Sequence, residues 1–279
     1  MKEVSFSSES LLIRIEEQIA IANQRTKELK DAADEAAHIG KFLEKITSFF
    51  NRGWFLHIIA LTEKEAPLLE KMRNANHSAI PSLEEIFQAA REWLEELKPY
   101  RFPTYLEEAC CTANLPLDKD SRHPHYKLKN GFFQLYIDEH KRTMRLSNIE
   151  GRICEIPADI EAIITVLKRE NQRLFERPFD AKKFLKKIRA HYLSLLKVEK
   201  LSDGSSIPIR NISRRLAKNE KEFRSDEFLI DFSRLLEQET IEIDGRKLEL
   251  QQTKSVDQAM FISTRTAQGY VGSILFKKV

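Results

Sequence analysis

Cysteine is scarce in this chain. Cys110, Cys111 and Cys154 make three, too few and odd in number for a disulfide framework. Free thiols suit a reducing compartment, so a cytoplasmic setting is expected. Glycine and proline are sparse as well, 8 and 9 residues in 279, which leaves little chain for flexible linkers. Long apolar runs are missing. The most apolar stretch, GWFLHIIAL at 53–61, falls well short of the roughly 20 residues that cross a bilayer. The opening MKEVSFSSESLLIRIEEQ places charges inside its apolar run and so lacks the unbroken core of a signal peptide. No membrane partner is expected.

Catalytic signatures are absent too. There is no G-x-x-x-x-G-K-S/T, no G-x-G-x-x-G and no G-x-S-x-G, so P-loop, Rossmann and α/β-hydrolase chemistry lack their phosphate cradle or nucleophile elbow. No cofactor is expected, and the chain reads more as a non-enzyme than as an enzyme.

What the chain does have is charge, 32% of residues against 42% apolar, the balance of a charge-rich, largely helical globular protein. The net charge of +3 hides an asymmetry. From Arg177 to Arg224 there are 14 Lys/Arg against 5 Asp/Glu, a net of +9, so the remainder carries −6. A local field of that sign attracts phosphates or an acidic protein face, or simply solvates a lysine-rich helix surface.

Periodicity divides the chain into three expected domains, 1–112, 113–178 and 179–279, within a predominantly helical α+β class. In the first, Leu12, Ile15, Ile19, Ala22, Thr26, Leu29, Ala33 and Ala36 follow alternating steps of three and four, an a/d seam about four heptads long. Such a coiled-coil-like helix pairs in an intramolecular hairpin, in a homodimer, or against another protein. The hairpin is expected, because further helices follow closely. The long helix should break near Asn51–Gly53. Thr62/Glu65 and Ser82/Glu85 have capping-box spacing, and a helix from Leu83 should stop at Pro99.

The pattern changes at GFFQLYIDEHKRTMRLSNIEGRICEIP, 131–157, which alternates apolar and polar residues as a small antiparallel meander. Helix resumes after Pro157, and Asp180 is the expected N-cap of the next. Three helices then bury Phe184, Leu185, Ile188, Tyr192, Leu195 and Leu196; Ile209, Ile212 and Leu216; and Phe228, Leu229, Phe232, Leu235 and Leu236. Ser225 is the expected cap of the third. Strand candidates TIEID, RKLEL, AMFIS and YVGSILF follow, with Asp244-Gly245 as a hairpin turn. Three helices and a hairpin resemble a winged helix-turn-helix.

Two clusters carry candidate chemistry. In SRHPHYKLKNGFFQLYIDEHKR, 121–142, His123 and His125, with Cys110, are candidate metal ligands. Asp118 and Asp120 ahead of Glu139-His140-Lys141 outline a metal-dependent nuclease, in which carboxylates hold a cation and a lysine positions water. Against this, 139–141 should form a hairpin tip, and an extended chain would hold Glu139 roughly 20 Å or more from His125. The second cluster is cationic. Lys182, Lys183, Lys186 and Lys187 on one helix and Arg210, Arg214, Arg215 and Lys218 on the next are candidate contacts to DNA or RNA backbone. The third helix, with Asp226, Glu227, Asp231 and Glu237 taken as outward, has the wrong sign to read a groove.

The expected function is a non-catalytic subunit of a multiprotein complex, associating through its N-terminal helix with a protein partner or with itself. Alternatives are a stand-alone winged-helix DNA-binding regulator and a cryptic nuclease. In element order alone the chain resembles winged-helix accessory subunits that dock onto larger ATPase machines.

Overall fold

The computed structural model describes residues 8–96, 101–238, 241–253, 259–264 and 268–279. The fold is α+β and mainly helical, and it divides into two compact units, Met1–Pro99 and Tyr100–Val279.

The first unit holds helices α1 (Ser8–Asn51), α2 (Phe55–Lys64), α3 (Ala66–Asn74) and α4 (Ile80–Glu96). Its core gathers Phe42 and Ile46 of α1, Ile58 of α2, Leu68, Leu69 and Met72 of α3, and Leu83, Phe87 and Ala90 of α4. The helix break falls where expected. Gly53 takes φ +68° and the Trp54 amide donates to Phe49 O at 2.9 Å, a turn that favours glycine because a left-handed φ costs it no Cβ clash. Neither expected capping box forms. α2 runs on through Thr62, whose hydroxyl donates back to Ile58 O and Ile59 O, and α4 begins at Ile80, which places Ser82 inside its first turn. The expected stop at Pro99 lies outside the described residues.

The intramolecular hairpin is not what the chain makes. Only the C-terminal part of α1 is packed, and every residue from Leu12 to His38 is exposed. Leu12, Ile15, Ile19 and Leu29 are each more than half exposed. The reason is helical phase. At about 100° per residue, the face carrying Ile39, Phe42, Leu43, Ile46 and Phe49 lies about 140° around the axis from the a/d seam. The bundle therefore covers one face and leaves the seam bare.

The second unit begins with α5 (Phe102–Thr112), a helix that the sequence grouped with the bundle. A four-stranded antiparallel sheet follows, in the order β1 (His125–Leu128), β2 (Phe133–Asp138), β3 (Thr143–Asn148) and β4 (Gly151–Pro157). It is the expected meander with one strand more at its start. Its alternate residues Tyr126, Leu128, Phe133, Leu135, Ile137, Met144 and Leu146 are buried, as a one-faced sheet requires. α6 (Ile160–Asn171) runs directly into a π-helical turn, Gln172–Glu176.

Next come α7 (Ala181–Glu199), β5 (Ile207–Pro208), α8 (Ile209–Asn219) and α9 (Ser225–Leu236). Asp180 caps α7 by accepting from the Lys183 amide at 3.0 Å. Arg224, not Ser225, occupies the cap position of α9. A second antiparallel sheet has the order β5–β9–β7–β6, with β8 also on β9, from β6 (Glu242–Ile243), β7 (Arg246–Gln252), β8 (Met260–Ser263) and β9 (Gln268–Lys278). Asp244 and Gly245, both at positive φ, turn β6 into β7, the conformation that selects Asp-Gly in tight hairpins. Thr240 of the expected TIEID strand lies outside the described residues.

The meander and the C-terminal helices share one unit because charges tie them together. Arg173, on the π-turn, meets Asp226 at 2.6 Å, Glu227 at 2.7 Å and Glu170 at 2.8 Å. Asn148 of β3 donates to the same Asp226 at 3.0 Å. Arg177 reaches Asp231 at 2.6 Å, and Arg234 donates to the Phe175 and Arg177 carbonyls. Farther along, Arg210 of α8 grips Glu150, in the β3–β4 turn, through both carboxylate oxygens at 2.7 and 3.2 Å.

Burial pushes the Asp226 carboxyl up, but the Arg173 guanidinium, with Arg224, holds it below the usual carboxylate range. A depressed folded pKa stabilises the protein above the ordinary Asp value of about 4 and loses that contribution as pH falls through the folded value. Asp231 goes the other way: burial raises it despite Arg177 and Arg234, so its contribution is present at low pH and lost as pH rises through the folded value.

We predict that Arg173→Met costs about 3–5 kcal/mol in denaturant titrations of the full chain at neutral pH, because it strands a buried carboxylate. The loss shrinks as the pH is lowered and the unpaired Asp226, now raised by burial, takes up a proton. A loss independent of pH contradicts this account.

Candidate interaction surfaces

The eight candidate backbone-binding cations divide by their surroundings. Lys182, Lys183 and Lys186 of α7, and Arg214 and Lys218 of α8, are exposed and have no acidic partner among the described residues. Within each helix they recur at three- and four-residue spacing, so each set forms one strip. The other three are not exposed, and two of them are engaged. Lys187 pairs with Glu220 at 2.7 Å, a bond that ties α7 to the end of α8. Arg210 is held by Glu150 and also donates to Ala259 O at 3.0 Å. Arg215 is half-buried, with its Nε buried and without a hydrogen-bond partner. Burial and the charge of Arg215 lower the pKa of nearby His191, so this half-buried histidine adds no charge to the strip at neutral pH.

Arg189, in the middle of the same basic run, is buried. It forks onto Asp203 and lies over the Tyr192 and Phe276 rings. The Arg189 hydrogen bonds hold Asp203 below the usual carboxylate range. Its charge serves the join between α7 and the second sheet.

α9 corrects a second expectation. An outward acidic face is expected of Asp226, Glu227, Asp231 and Glu237; Glu237, past the helix end, is exposed, yet no residue from Ser225 to Leu236 is. Asp226, Glu227 and Asp231 turn inward to Arg173 and Arg177, while Phe228, Leu229, Phe232 and Leu235 fill the core. The third helix has no free face to lay in a groove.

The candidate metal and nuclease residues are placed apart. Asp118 accepts from the Asn130 and Gly131 amides, pinning the β1–β2 turn, and Asp120 pairs with Lys127 at 2.6 Å. Glu139 and Lys141 sit in the β2–β3 turn, at the other end of β2, and Lys141 pairs with Asp138. A strand of this length separates the two ends by about 15 Å or more. Among the described residues no group of three or more His, Cys, Asp or Glu could hold a metal ion.

The histidines themselves follow neither expectation fully. The β1–β2 hairpin does fold the chain back, and His123 Nε2 meets Glu139 at 2.7 Å while its Nδ1 meets the Tyr126 hydroxyl at 2.9 Å. Tyr126 is buried, and burial, with Glu139 nearby, pushes its pKa up to about 12. The arrangement fastens the cis His123–Pro124 loop to the hairpin tip. His125 instead lies beside the Tyr136 ring. Cys110 is fully buried, and burial pushes its thiol up to about 12, so it is a protonated core thiol at neutral pH.

No family model matches the chain, and comparisons with curated proteins and with solved structures give no match.

The environments of two α8 arginines generate a paired prediction. Arg210→Ala strands Glu150, whose side chain is only 7% exposed, and should cost about 2–3 kcal/mol of stability. Arg214→Ala should leave stability within about 0.5 kcal/mol. Thermal and denaturant unfolding of the two variants should therefore separate; equal losses would show that the two arginines have been assigned to the wrong roles.

Proposed function

We propose that the protein is a non-catalytic interaction subunit of a larger assembly, joined to its partners through α1 and able to hold nucleic-acid backbone through the cationic strips of α7 and α8. The observation that carries the reading is the bare length of α1. A helix that keeps a heptad seam over residues 12–36, yet packs none of it within its own unit, has the form of a docking element.

The C-terminal elements run helix, short strand, helix, helix and then the remaining strands of an antiparallel sheet, which supports a winged-helix-like reading of that module. Its use differs from sequence readout. Base edges are read by side chains placed in a groove, whereas lysines and arginines on an open surface meet phosphates without regard to sequence. With α9 sealed, the cations proposed to meet DNA or RNA are the exposed ones in the strips of α7 and α8. This favours a subunit that sits on backbone over a stand-alone regulator that selects a site.

The expected behaviour is retention of duplex DNA at low salt and steep release as salt rises. With Lys182, Lys183, Lys186, Arg214 and Lys218 all on phosphates, log Kobs falls with log salt at a slope of about −4.5, roughly a 500-fold loss between 50 and 200 mM. Reversing all five to glutamate should abolish retention, while Arg214→Ala alone lowers the slope by about one. Fluorescence anisotropy with a labelled duplex measures both, and no binding at low ionic strength removes the nucleic-acid part of the proposal.

A further inference from the structure

The exposed seam of α1 identifies its own partner by charge and size. Written as a heptad, Leu12, Ile19, Thr26 and Ala33 are a positions and Ile15, Ala22, Leu29 and Ala36 are d positions. The large side chains lie in the first half and the alanines in the second. Around the middle of the seam the list is symmetric. Residues whose numbers sum to 48 form Leu12–Ala36, Ile15–Ala33, Ile19–Leu29 and Ala22–Thr26, and every pair joins an a position to a d position. That is the pairing of two antiparallel helices, in which a faces d of the partner rather than its own equivalent.

We propose that α1 pairs with α1 of a second copy of this chain as an antiparallel coiled coil in this register; the proposal rests on the reading of α1 as a docking element. Two observations select the arrangement over a parallel one. The first is volume. Antiparallel pairing sets Ala36 against Leu12 and Ala33 against Ile15, so a large side chain fills what a small one leaves. Parallel pairing stacks Ala33 on Ala33 and Ala36 on Ala36, which buries almost nothing over the last heptad. Thr26 is tolerated in the seam because its hydroxyl already donates to Ala22 O at 2.8 Å along its own helix, so covering it orphans no polar group.

The second observation is charge. In an antiparallel pair the flanking e positions of the two helices meet. Here Glu16 then faces Lys30 of the second copy, twice by symmetry, and Asn23 faces its own copy. The g positions bring Gln18 to Ala32 and Arg25 to Arg25, the one opposed pair of like charges. In the parallel arrangement g meets e, so Arg25 faces Lys30 on both sides and no attractive pair forms in its place. The overlap from residue 12 to residue 36 extends about 37 Å at 1.5 Å per residue. It uses the whole exposed seam and ends just before Ile39, where α1 enters its own bundle core.

The test is made on the full chain. Sedimentation equilibrium should give a concentration-dependent dimer of the 32.6 kDa chain. Lys30→Glu should weaken it roughly tenfold by turning both attractive pairs into repulsive ones, and Glu16→Lys with Lys30→Glu should restore it. Both substituted sites are outside the bundle core, so helicity and unfolding should not change. Orientation is read in a chain carrying Cys110→Ala, Cys111→Ser and Cys154→Ser. Under mild oxidation, Ile15→Cys chains mixed with Ala33→Cys chains should form a disulfide dimer, because a and d residues of one layer come within bonding distance, and neither should do so alone. Cross-linking of Ile15→Cys with itself, or no restoration by the charge swap, overturns the antiparallel pairing. A chain that stays monomeric up to its solubility limit overturns self-pairing outright. That result leaves the docking role of α1 standing with a different protein as occupant, which co-purification of a partner lost on Leu12→Glu and Ile19→Glu would show.

Discussion

One guanidinium holds the second unit together. Arg173 projects from a π-turn at the end of α6 into three carboxylates, two of them on α9 and 53 or 54 residues away in sequence. Its partner Asp226 is fastened a second time by Asn148 of the first sheet. Take away that charge and the buried carboxylates of Asp226 on α9 and Glu170 on α6 lose the guanidinium between them, so the join between meander and C-terminal helices loses its central ion pair. Buried ion pairs seldom stabilise more than an apolar replacement of the same shape. What this one supplies is geometry, since it fixes which helix is enclosed and which helices remain at the surface.

That choice governs the functional reading. In the proposed winged-helix-like reading α9 takes the third-helix position, from which a recognition helix would approach a groove. Here its acidic residues satisfy arginines and its apolar residues fill a core. Five of the eight candidate cations stay exposed on α7 and α8, in strips proposed to meet phosphates rather than base edges. Meanwhile the bundle of the first unit covers only one face of α1 and leaves the heptad seam open. Both features support the proposal of a non-catalytic subunit that grips and assembles.

Local periodicity made the elements legible. The Asn51–Gly53 break, the alternating meander, the Asp180 cap and the Asp244-Gly245 turn all depend on residues a few positions apart, and a sequence displays such spacing directly. The failures involve distance along the chain. Nothing near Asp226 or Asp231 announces Arg173 or Arg177, so in the sequence their charge points to exposure. His123 and Glu139, 16 residues apart, met because the hairpin register folded one back on the other, which an extended-chain estimate cannot anticipate. The cationic run was visible as composition, but not that Arg189 is buried or that Arg210 is matched by Glu150. The heptad seam was legible as a seam, whereas its helical phase against Phe42 and Ile46, which decides that it stays open, required the bundle.

The enclosure of α9 is the claim on which these readings converge, and native-state amide exchange tests it directly. Followed by mass spectrometry with and without duplex DNA at low salt, residues 225–236 should exchange only through global unfolding, at rates that DNA changes no more than its effect on overall stability requires. Local protection should appear instead on α7 and α8. Fast exchange of α9 through a low-energy opening, with local protection of that helix when DNA is added, would contradict the account.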